Sequence, residues 1–233
     1  MKQVGIYCSS NRPSLWGDLI KTLSNNSVDW NLCIAGPHPS IEPLPGNVKY
    51  IQTNVKPAQC YFIAEQNTIG EYVINMADDV TLSSGSIDDL VGIINSKMTI
   101  ASCYGKRHPR QSNMWKIRSP RQKITLPFFM PGNSMMHRET FNNIGIDKNF
   151  VALYWDYDIA FELVSMGGKV VISDKSSWSE KSKSTGTCHK FEDYSYVTEM
   201  WFDGIKIRNK RRKPIIPLVY NKDILKVNQG RHK

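Results

Sequence analysis

Two adjacent carboxylates, Asp78 and Asp79, end an apolar stretch that begins at Gly70 and is typical of a β-strand. An unpaired carboxylate inside a protein costs several kcal/mol or more, so these acids are expected to meet solvent, a metal or a cationic partner. At the carboxyl end of a strand they could provide oxygen ligands for Mg²⁺ or Mn²⁺ carrying a phosphorylated substrate. The alternative is an exposed turn, where Asp is a common residue.

A second group of acids, Asp156 and Asp158, lies at the predicted start of a helix after an aromatic-rich segment. The helix dipole favours negative charge at an N-terminus. Helix capping therefore accounts for these two acids when they are considered in isolation.

The formal net charge of +9 is concentrated in two stretches. Residues 106–123 contain seven Lys or Arg and no acid, and residues 206–213 contain six. Such fields attract polyanions, although solvated basic loops are the alternative. An aromatic residue among cations is typical of a nucleic-acid or sugar-phosphate surface. The candidate contacts to a polyanionic acceptor are Arg107, Arg110, Trp115, Lys116, Arg118, Arg121, Arg211 and Arg212.

The length of 233 residues and the hydrophobic fraction of 40% suit one large or two small globular domains. No apolar signal-peptide core follows Met1, and no apolar run is long enough to span a bilayer. We therefore expect a soluble, cytoplasmic protein without a membrane span. The five cysteines form no CxxC pair, so neither disulfides nor a zinc cluster are expected.

These acids must be positioned by alternating strands and helices. The predicted strands of the first half are 4–9, 29–35, 48–52 and 72–76, and the predicted helices are 14–23, 58–68 and 86–95. This alternation predicts right-handed βαβ units and a mostly parallel sheet. Ligands gather at the carboxyl ends of the strands in such sheets. The turn Ser9-Ser10-Asn11-Arg12 is therefore expected at the same edge as Asp78 and Asp79.

The second half is predicted to have strands at 99–104 and 169–173 and helices at 138–144 and 158–166. We divide the chain into a core of residues 1–175, with halves 1–97 and 98–175, a mobile lid loop at 176–190, and a C-terminal helix and basic tail at 191–233. Gly and Ser would give the lid its hinge freedom, and Trp178 or Lys181 could cover a bound sugar or phosphate. A plain connector is the alternative.

Three segments, in this order, resemble the GT-A-fold nucleotide-sugar glycosyltransferases, especially family 2. The opening strand with Ser9–Arg12 is similar to the nucleotide-binding start of that fold. Asn67–Asp79 is similar to the helix, strand and DxD-type metal motif. The stretch from Pro131 through Asp158 resembles the acceptor-side region that ends in the ED-type motif. The resemblance implies an α/β fold with a GT-A-type, Rossmann-like mixed sheet and flanking helices, as a single domain with a basic C-terminal extension.

The resemblance also implies roles for individual residues. Asp79 would hold Mn²⁺ or Mg²⁺ on the donor diphosphate, Asp78 would contact the ribose or assist the metal, and Ala77 replaces the first acid of the motif. His189 matches a late metal-binding histidine of the fold. Asp156 matches the general base of inverting members, although Trp155 stands where its Glu partner is expected, and Asp158 could share or replace the role. The nucleotide-sugar contacts would be Ser9, Ser10, Asn11, Arg12, Asp78, Trp178 and Lys181.

The expected function is metal-dependent sugar transfer from a nucleotide-diphosphate donor, with UDP favoured, to an acceptor hydroxyl. The basic stretches favour a hydroxylated base in duplex DNA, as in phage DNA glycosyltransferases, which would place the protein in a host cytoplasm. A cell-surface or virion glycan is the alternative acceptor. A non-catalytic nucleic-acid or sugar-nucleotide binding module is the rival class, supported by Ala77. The oligomeric state is left open.

Overall fold

A computed structural model of the protein describes residues 2–105, 112–119, 124–128, 132–147, 149–181, 193, 196 and 197. The statements below concern these residues.

The first half forms a parallel βαβ sheet, as its pattern predicts. Its elements are β1 (Gln3–Ser9), α1 (Trp16–Leu23), β2 (Asp29–Gly36), β3 (Val48–Gln52), α2 (Pro57–Gln66) and β4 (Tyr72–Met76). A short 3-10 turn, Pro13–Leu15, joins β1 to α1. The strands lie in the order β3-β2-β1-β4 and all three pairs are parallel.

The second half adds antiparallel strands and completes a mixed sheet. Its elements are β5 (Val80–Leu82), α3 (Ser86–Ile93), β6 (Thr99–Gly105), β7 (Ser112–Ser119), β8 (Ile124–Phe128), β9 (Ser134–His137), α4 (Arg138–Ile144), α5 (Trp155–Ser165) and β10 (Lys169–Glu180). The strand order continues as β4-β9-β6-β10-β5, while β7 and β8 pair only with each other. The prediction of an α/β fold with a mixed sheet and flanking helices is confirmed.

Apolar side chains of the central strands point alternately to two hydrophobic layers, as the two-residue repeat of a strand requires. Val4, Ile6 and Cys8 of β1 pack in the layer that contains α1 and α3. Tyr7, between them, packs in the opposite layer with residues of α2, α4 and α5. The sheet is thus buried on both faces, which explains the nearly continuous apolar runs of β1 and β4.

Two predicted boundaries differ from the structure by three residues or more. The helix α5 begins at Trp155 rather than Asp158. The strand β10 continues to Glu180, past an irregularity between Ile172 and Ser177, because its second part pairs antiparallel with β5 and in parallel with β6. Residues 176–180 are therefore strand and not a lid loop, whereas 182–190 lie outside the described residues, as does nearly all of the predicted C-terminal helix and tail.

Within the described ranges, the structure contains no helix that combines the length and apolar character needed to cross a membrane.

Candidate functional site

The carboxyl ends of β1 and β4 lie side by side, since Cys8 pairs with Met76 in the parallel register. This placement brings Ser10 to Asp78, and the Ser10 hydroxyl donates a 2.6 Å hydrogen bond to that carboxylate. The indole N–H of Trp16 in turn donates to the Ser10 oxygen at 2.7 Å. The expectation that these two segments share one edge is therefore met.

Arg12 completes this group by pairing with both acids. Its Nε donates to Asp78 Oδ2 at 3.1 Å, and its Nη2 contacts Asp78 Oδ1 as well as Asp79 Oδ2, the latter at 3.0 Å. The hydrogen bond to Asp78 is the largest of the effects that raise the pKa of Arg12. Asp78 and Asp79 are 4% and 8% exposed. We call Ser10, Arg12, Asp78 and Asp79 the donor-edge cluster.

The turn that carries Ser10 and Arg12 depends on Gly36 at the end of β2. The backbone N–H of Ser10 donates to the Ala35 carbonyl at 3.0 Å, which draws the turn against β2. A Cβ atom on Gly36 would lie 1.7 Å from the Ser10 carbonyl oxygen. A glycine is therefore required where the two backbones approach this closely.

The donor-edge cluster does not fit a divalent cation in its present arrangement. Both oxygens of Asp78 accept hydrogen bonds from Ser10 or Arg12, and Asp79 also pairs with Arg12. Among the residues that the structure describes, no three His, Cys, Asp or Glu side chains come together to hold a metal. His189, the predicted additional ligand, lies outside those residues.

Other predicted donor contacts have different surroundings. The backbone N–H of Lys181 donates to the Asp79 carbonyl at 2.9 Å, while its ammonium pairs with Asp18 at 2.8 Å. Trp178 is 3% exposed and packs in the core with Leu82, so it is a core residue and not a cover over a bound sugar. Ser9 ends β1, and Asn11 is exposed in the turn.

Asp156 lies in the first turn of α5, directly after Tyr154 and Trp155, and is half-buried. Burial raises its pKa to about 6, although the N–H groups of Tyr157 and of Asp156 itself oppose the shift. The Tyr157 N–H donates to Asp156 Oδ1 at 2.9 Å. Among the described residues, no lysine or arginine contributes to this shift. Asp156 therefore combines partial access to solvent with an affinity for protons that suits acid–base chemistry near neutral pH.

Asp156 lines a cavity of about 20 Å³, the size of one water molecule, together with Tyr7, Asn75 and Trp155. Asp158, the other predicted catalytic acid, is fully buried two positions further along. Of the two, Asp156 is thus the one placed to meet a substrate.

Aromatic rings of β1, α2 and the start of α5 pack together beside Asp156. The ring of Tyr61 on α2 lies 5.0 Å from that of Trp155 and 6.2 Å, edge to face, from that of Tyr7. Burial is the main reason that the pKa of Tyr61 is raised, and the charges of Asp78 and Asp156 both add to the rise. Asp78 and Asp156 therefore both disfavour ionisation of Tyr61. Sequence reasoning missed Tyr7 and Tyr61, because each occupies an ordinary apolar position in its strand or helix.

The basic residues are only partly placed. Trp115, Lys116 and Arg118 belong to β7, of which the backbone alone is described. The remaining predicted polyanion contacts, Arg107, Arg110, Arg121, Arg211 and Arg212, lie outside the described residues.

Comparison with known proteins identifies the fold. No protein-family model matches the sequence, and no curated protein matches it. In structure, the chain is similar to a mannosyltransferase of Pyrobaculum calidifontis, PcManGT, in complex with GDP-Man and Mn²⁺, with a TM-score of 0.63 over 85% of this chain and 64% of that chain at 13% identity. It is also similar to S. aureus TarS 1-349 in complex with UDP-GlcNAc, with a TM-score of 0.59 over 86% of this chain and 65% of that chain at 11% identity.

The chain has the GT-A fold. It spans about 60% of TarS 1-349 in another of these comparisons, which gives a TM-score of 0.56 at 12% identity. The GT-A part of the predicted fold class is therefore confirmed.

Proposed function

We propose that this GT-A chain is a glycosyltransferase that uses a nucleotide-diphosphate sugar. The observation that carries the proposal is a GT-A fold with Asp78, Ser10 and Arg12 together at the carboxyl ends of β1 and β4 and Asp156 at the start of α5; similar structures are complexes with UDP-GlcNAc or GDP-Man. Asp78 pairs with a cation, which suits binding of the donor. Asp156 has a raised pKa, which suits removal of the acceptor proton.

The donor would lie at the carboxyl ends of β1, β2 and β4, where open α/β sheets bind ligands. Ser9, Ser10, Asn11 and Arg12 would contact the nucleotide from the turn after β1, and Asp78 would contact the ribose. Lys181, whose backbone N–H binds the Asp79 carbonyl, would bring its ammonium group to the diphosphate by leaving Asp18. A uridine diphosphate sugar is our first choice, and a guanosine diphosphate sugar is the second.

Asp156 would serve as the general base. The acceptor oxygen forms a bond to the anomeric carbon, the bond from that carbon to the diphosphate oxygen breaks, and the acceptor proton passes to Asp156. A carboxyl group with a pKa of about 6 is ionised at neutral pH and can accept this proton. This role holds for transfer with inversion, since a retaining reaction would not need a base at that position.

The prediction that Asp79 holds Mn²⁺ or Mg²⁺ with His189 stays a prediction. A divalent ion would neutralise the leaving diphosphate. It would also have to replace Arg12 at the Asp79 oxygen, because the described residues do not fit a metal beside that pair.

For the acceptor we propose a hydroxylated base in duplex DNA, on the basis of the two basic stretches. Phosphate contacts release counterions, so binding to duplex DNA should weaken steeply as salt rises. A flat salt dependence would favour the second candidate, a hydroxyl group on a cell-surface or virion glycan.

Thermal unfolding with UDP or GDP, each with Mn²⁺ or with EDTA, tests the proposal. We expect one nucleotide to raise the melting temperature, because a ligand that binds only the folded state stabilises it. The Asp78→Asn variant should lose the rise, whereas Asp174→Asn, a change at an exposed position, should keep it. No rise with either nucleotide would contradict the proposal, and binding without turnover of any sugar donor would favour the non-catalytic module.

A further inference from the structure

The carboxylate of Asp193, far along the chain from α5, binds three consecutive backbone N–H groups of the loop that precedes this helix. Val151 donates to its Oδ1 at 2.7 Å, and Ala152 and Leu153 both donate to its Oδ2 at 2.7 Å. Asp193 is fully buried. Successive N–H groups that converge in this way form a concave anion site, which the protein fills with its own side chain.

Tyr196 ties the beginning of the same loop. Its hydroxyl donates to Asp147 Oδ2 at 2.7 Å and accepts from Asn149 Nδ2 at 2.9 Å. Its ring lies edge to face with that of Phe150 at 5.0 Å. Asp193 and Tyr196 therefore hold the loop at Asp147 and Asn149 and again at residues 151–153.

The loop connects the acceptor-side acid to the donor side of the sheet. The Val151 carbonyl accepts the N–H of Ala58 in the first turn of α2, the helix that carries Tyr61. At its other end the loop leads into Tyr154, which has a φ of 65°, and then into α5. A non-glycine residue holds such a backbone conformation only where its surroundings impose it.

We infer that Asp193 is a positioning residue, whose carboxylate holds residues 151–153 so that α5 presents Asp156 to the cavity beside Tyr7. Asp193 acts through the loop and does not meet the substrate. The inference deepens the proposed function and rests on it in one respect, that Asp156 is the acid used in transfer.

The test follows the titration of Asp156 by carboxyl ¹³C NMR, with Asp156→Asn to assign its signal. In the native chain the pKa should lie at about 6. In Asp193→Asn an amide NH₂ group would face backbone donors, the loop would loosen, and water would reach Asp156. Because burial is the main cause of the raised value, the pKa of Asp156 should fall by about one unit.

Asp174→Asn is the matched control, since it removes the same charge at an exposed position of β10 and should leave the titration unchanged. A purely structural role for Asp193 would lower the melting temperature of Asp193→Asn and leave the Asp156 titration at its native value, which would overturn the inference. If this variant does not fold, hydrogen exchange of the native chain tests the role of Asp193 instead. The amides of Val151, Ala152 and Leu153 should then exchange as slowly as those of β4, and rapid exchange would overturn the inference.

The titration needs no nucleotide, so its outcome is independent of the nucleotide test of the proposed function. Where a donor is turned over, Asp193→Asn should lower kcat and leave KM for the donor unchanged, because the donor-edge cluster is not altered. An unchanged kcat would count against the positioning role.

Discussion

The donor-edge cluster and the start of α5 each contain two aspartates, and the protein uses them in opposite ways. Asp78 and Asp79 share the guanidinium of Arg12 and lie in a network of hydrogen bonds. In the part of the chain that the structure describes, no lysine or arginine shifts the pKa of Asp156, and burial raises that pKa to about 6. An aspartate is thus held by a cation in the donor-edge cluster, whereas at the start of α5 burial makes an aspartate more basic.

This difference shows that the surroundings of a carboxylate, and not its presence, determine its chemistry. A cation favours the ionised form, whereas desolvation favours the neutral form. An acid held by Arg12 is suited to orienting a ligand. An acid that binds a proton near neutral pH is suited to removing a proton from a hydroxyl group.

The largest effect should come from Asp156→Asn, which removes the proposed base and nearly preserves its shape. We expect the transfer rate to fall by about 10²- to 10⁴-fold, the usual contribution of a general base. Nucleotide binding, measured by calorimetry, should stay within twofold of the native value. A variant that retains most of its activity would show that Asp156 is not the general base.

Arg12→Ala would disrupt the donor-edge cluster, because it leaves Asp78 buried without its cation. We expect a loss of about 2–3 kcal/mol in the free energy of unfolding, since removing one partner of a largely buried ion pair is costly. Urea denaturation measures this loss. Arg12→Lys should recover only part of it, because an ammonium group cannot reproduce the fork that contacts three carboxylate oxygens. Full stability in the alanine variant would contradict the role of Arg12.

Gly36→Ala would disturb the same region without changing a charge. The added methyl group would meet the Ser10 carbonyl at 1.7 Å, so the turn that carries Arg12 must move. We expect a destabilisation of about 2 kcal/mol together with weaker nucleotide binding. Gly17→Ala on α1 is the control, since a Cβ there meets no atom within 4 Å. If Gly36→Ala and Gly17→Ala had the same stability and the same nucleotide affinity, the close approach of Gly36 to the Ser10 carbonyl would have no role.

The smallest effect is a pH dependence of stability due to Asp156. Its pKa is about 6 in the folded protein and about 3.9 in an unfolded chain. Between these values the folded state keeps a proton that the unfolded state releases, so stability is greatest at low pH and falls as pH rises towards 6. The contribution should be about 1–2 kcal/mol, and the difference between native and Asp156→Asn curves measures it. The opposite slope would show that burial does not raise the pKa.

Much of the sheet could be predicted from local patterns. The predicted bounds of β3, β4 and α4 match the structure, because a complete apolar repeat between turn residues defines each of them. The shared edge of β1 and β4 followed from the parallel order of βαβ units. The extension of β10 could not be predicted in this way, since its Ser-rich second part is a strand through pairing with β5 and β6, which are distant in the chain.

The chemistry of the site was less predictable, because it depends on contacts between distant parts of the chain. Arg12 was expected to contact the nucleotide, but its pairing with Asp78 and Asp79 spans 66 residues and has no local signature. The bonds from the 151–153 loop to Asp193 cross about 40 residues. The raised pKa of Asp156 likewise arises from burial, and the cavity that Asp156 lines includes Tyr7 and Asn75 of distant strands.

The most direct test of the account is the release of nucleoside diphosphate from a panel of UDP- and GDP-sugars by the native chain. The account predicts that one donor is turned over repeatedly, with a rate that falls below a pH of about 6 as Asp156 takes up its proton. If no sugar nucleotide in the panel is bound or consumed, the central claim that this fold transfers a sugar is contradicted.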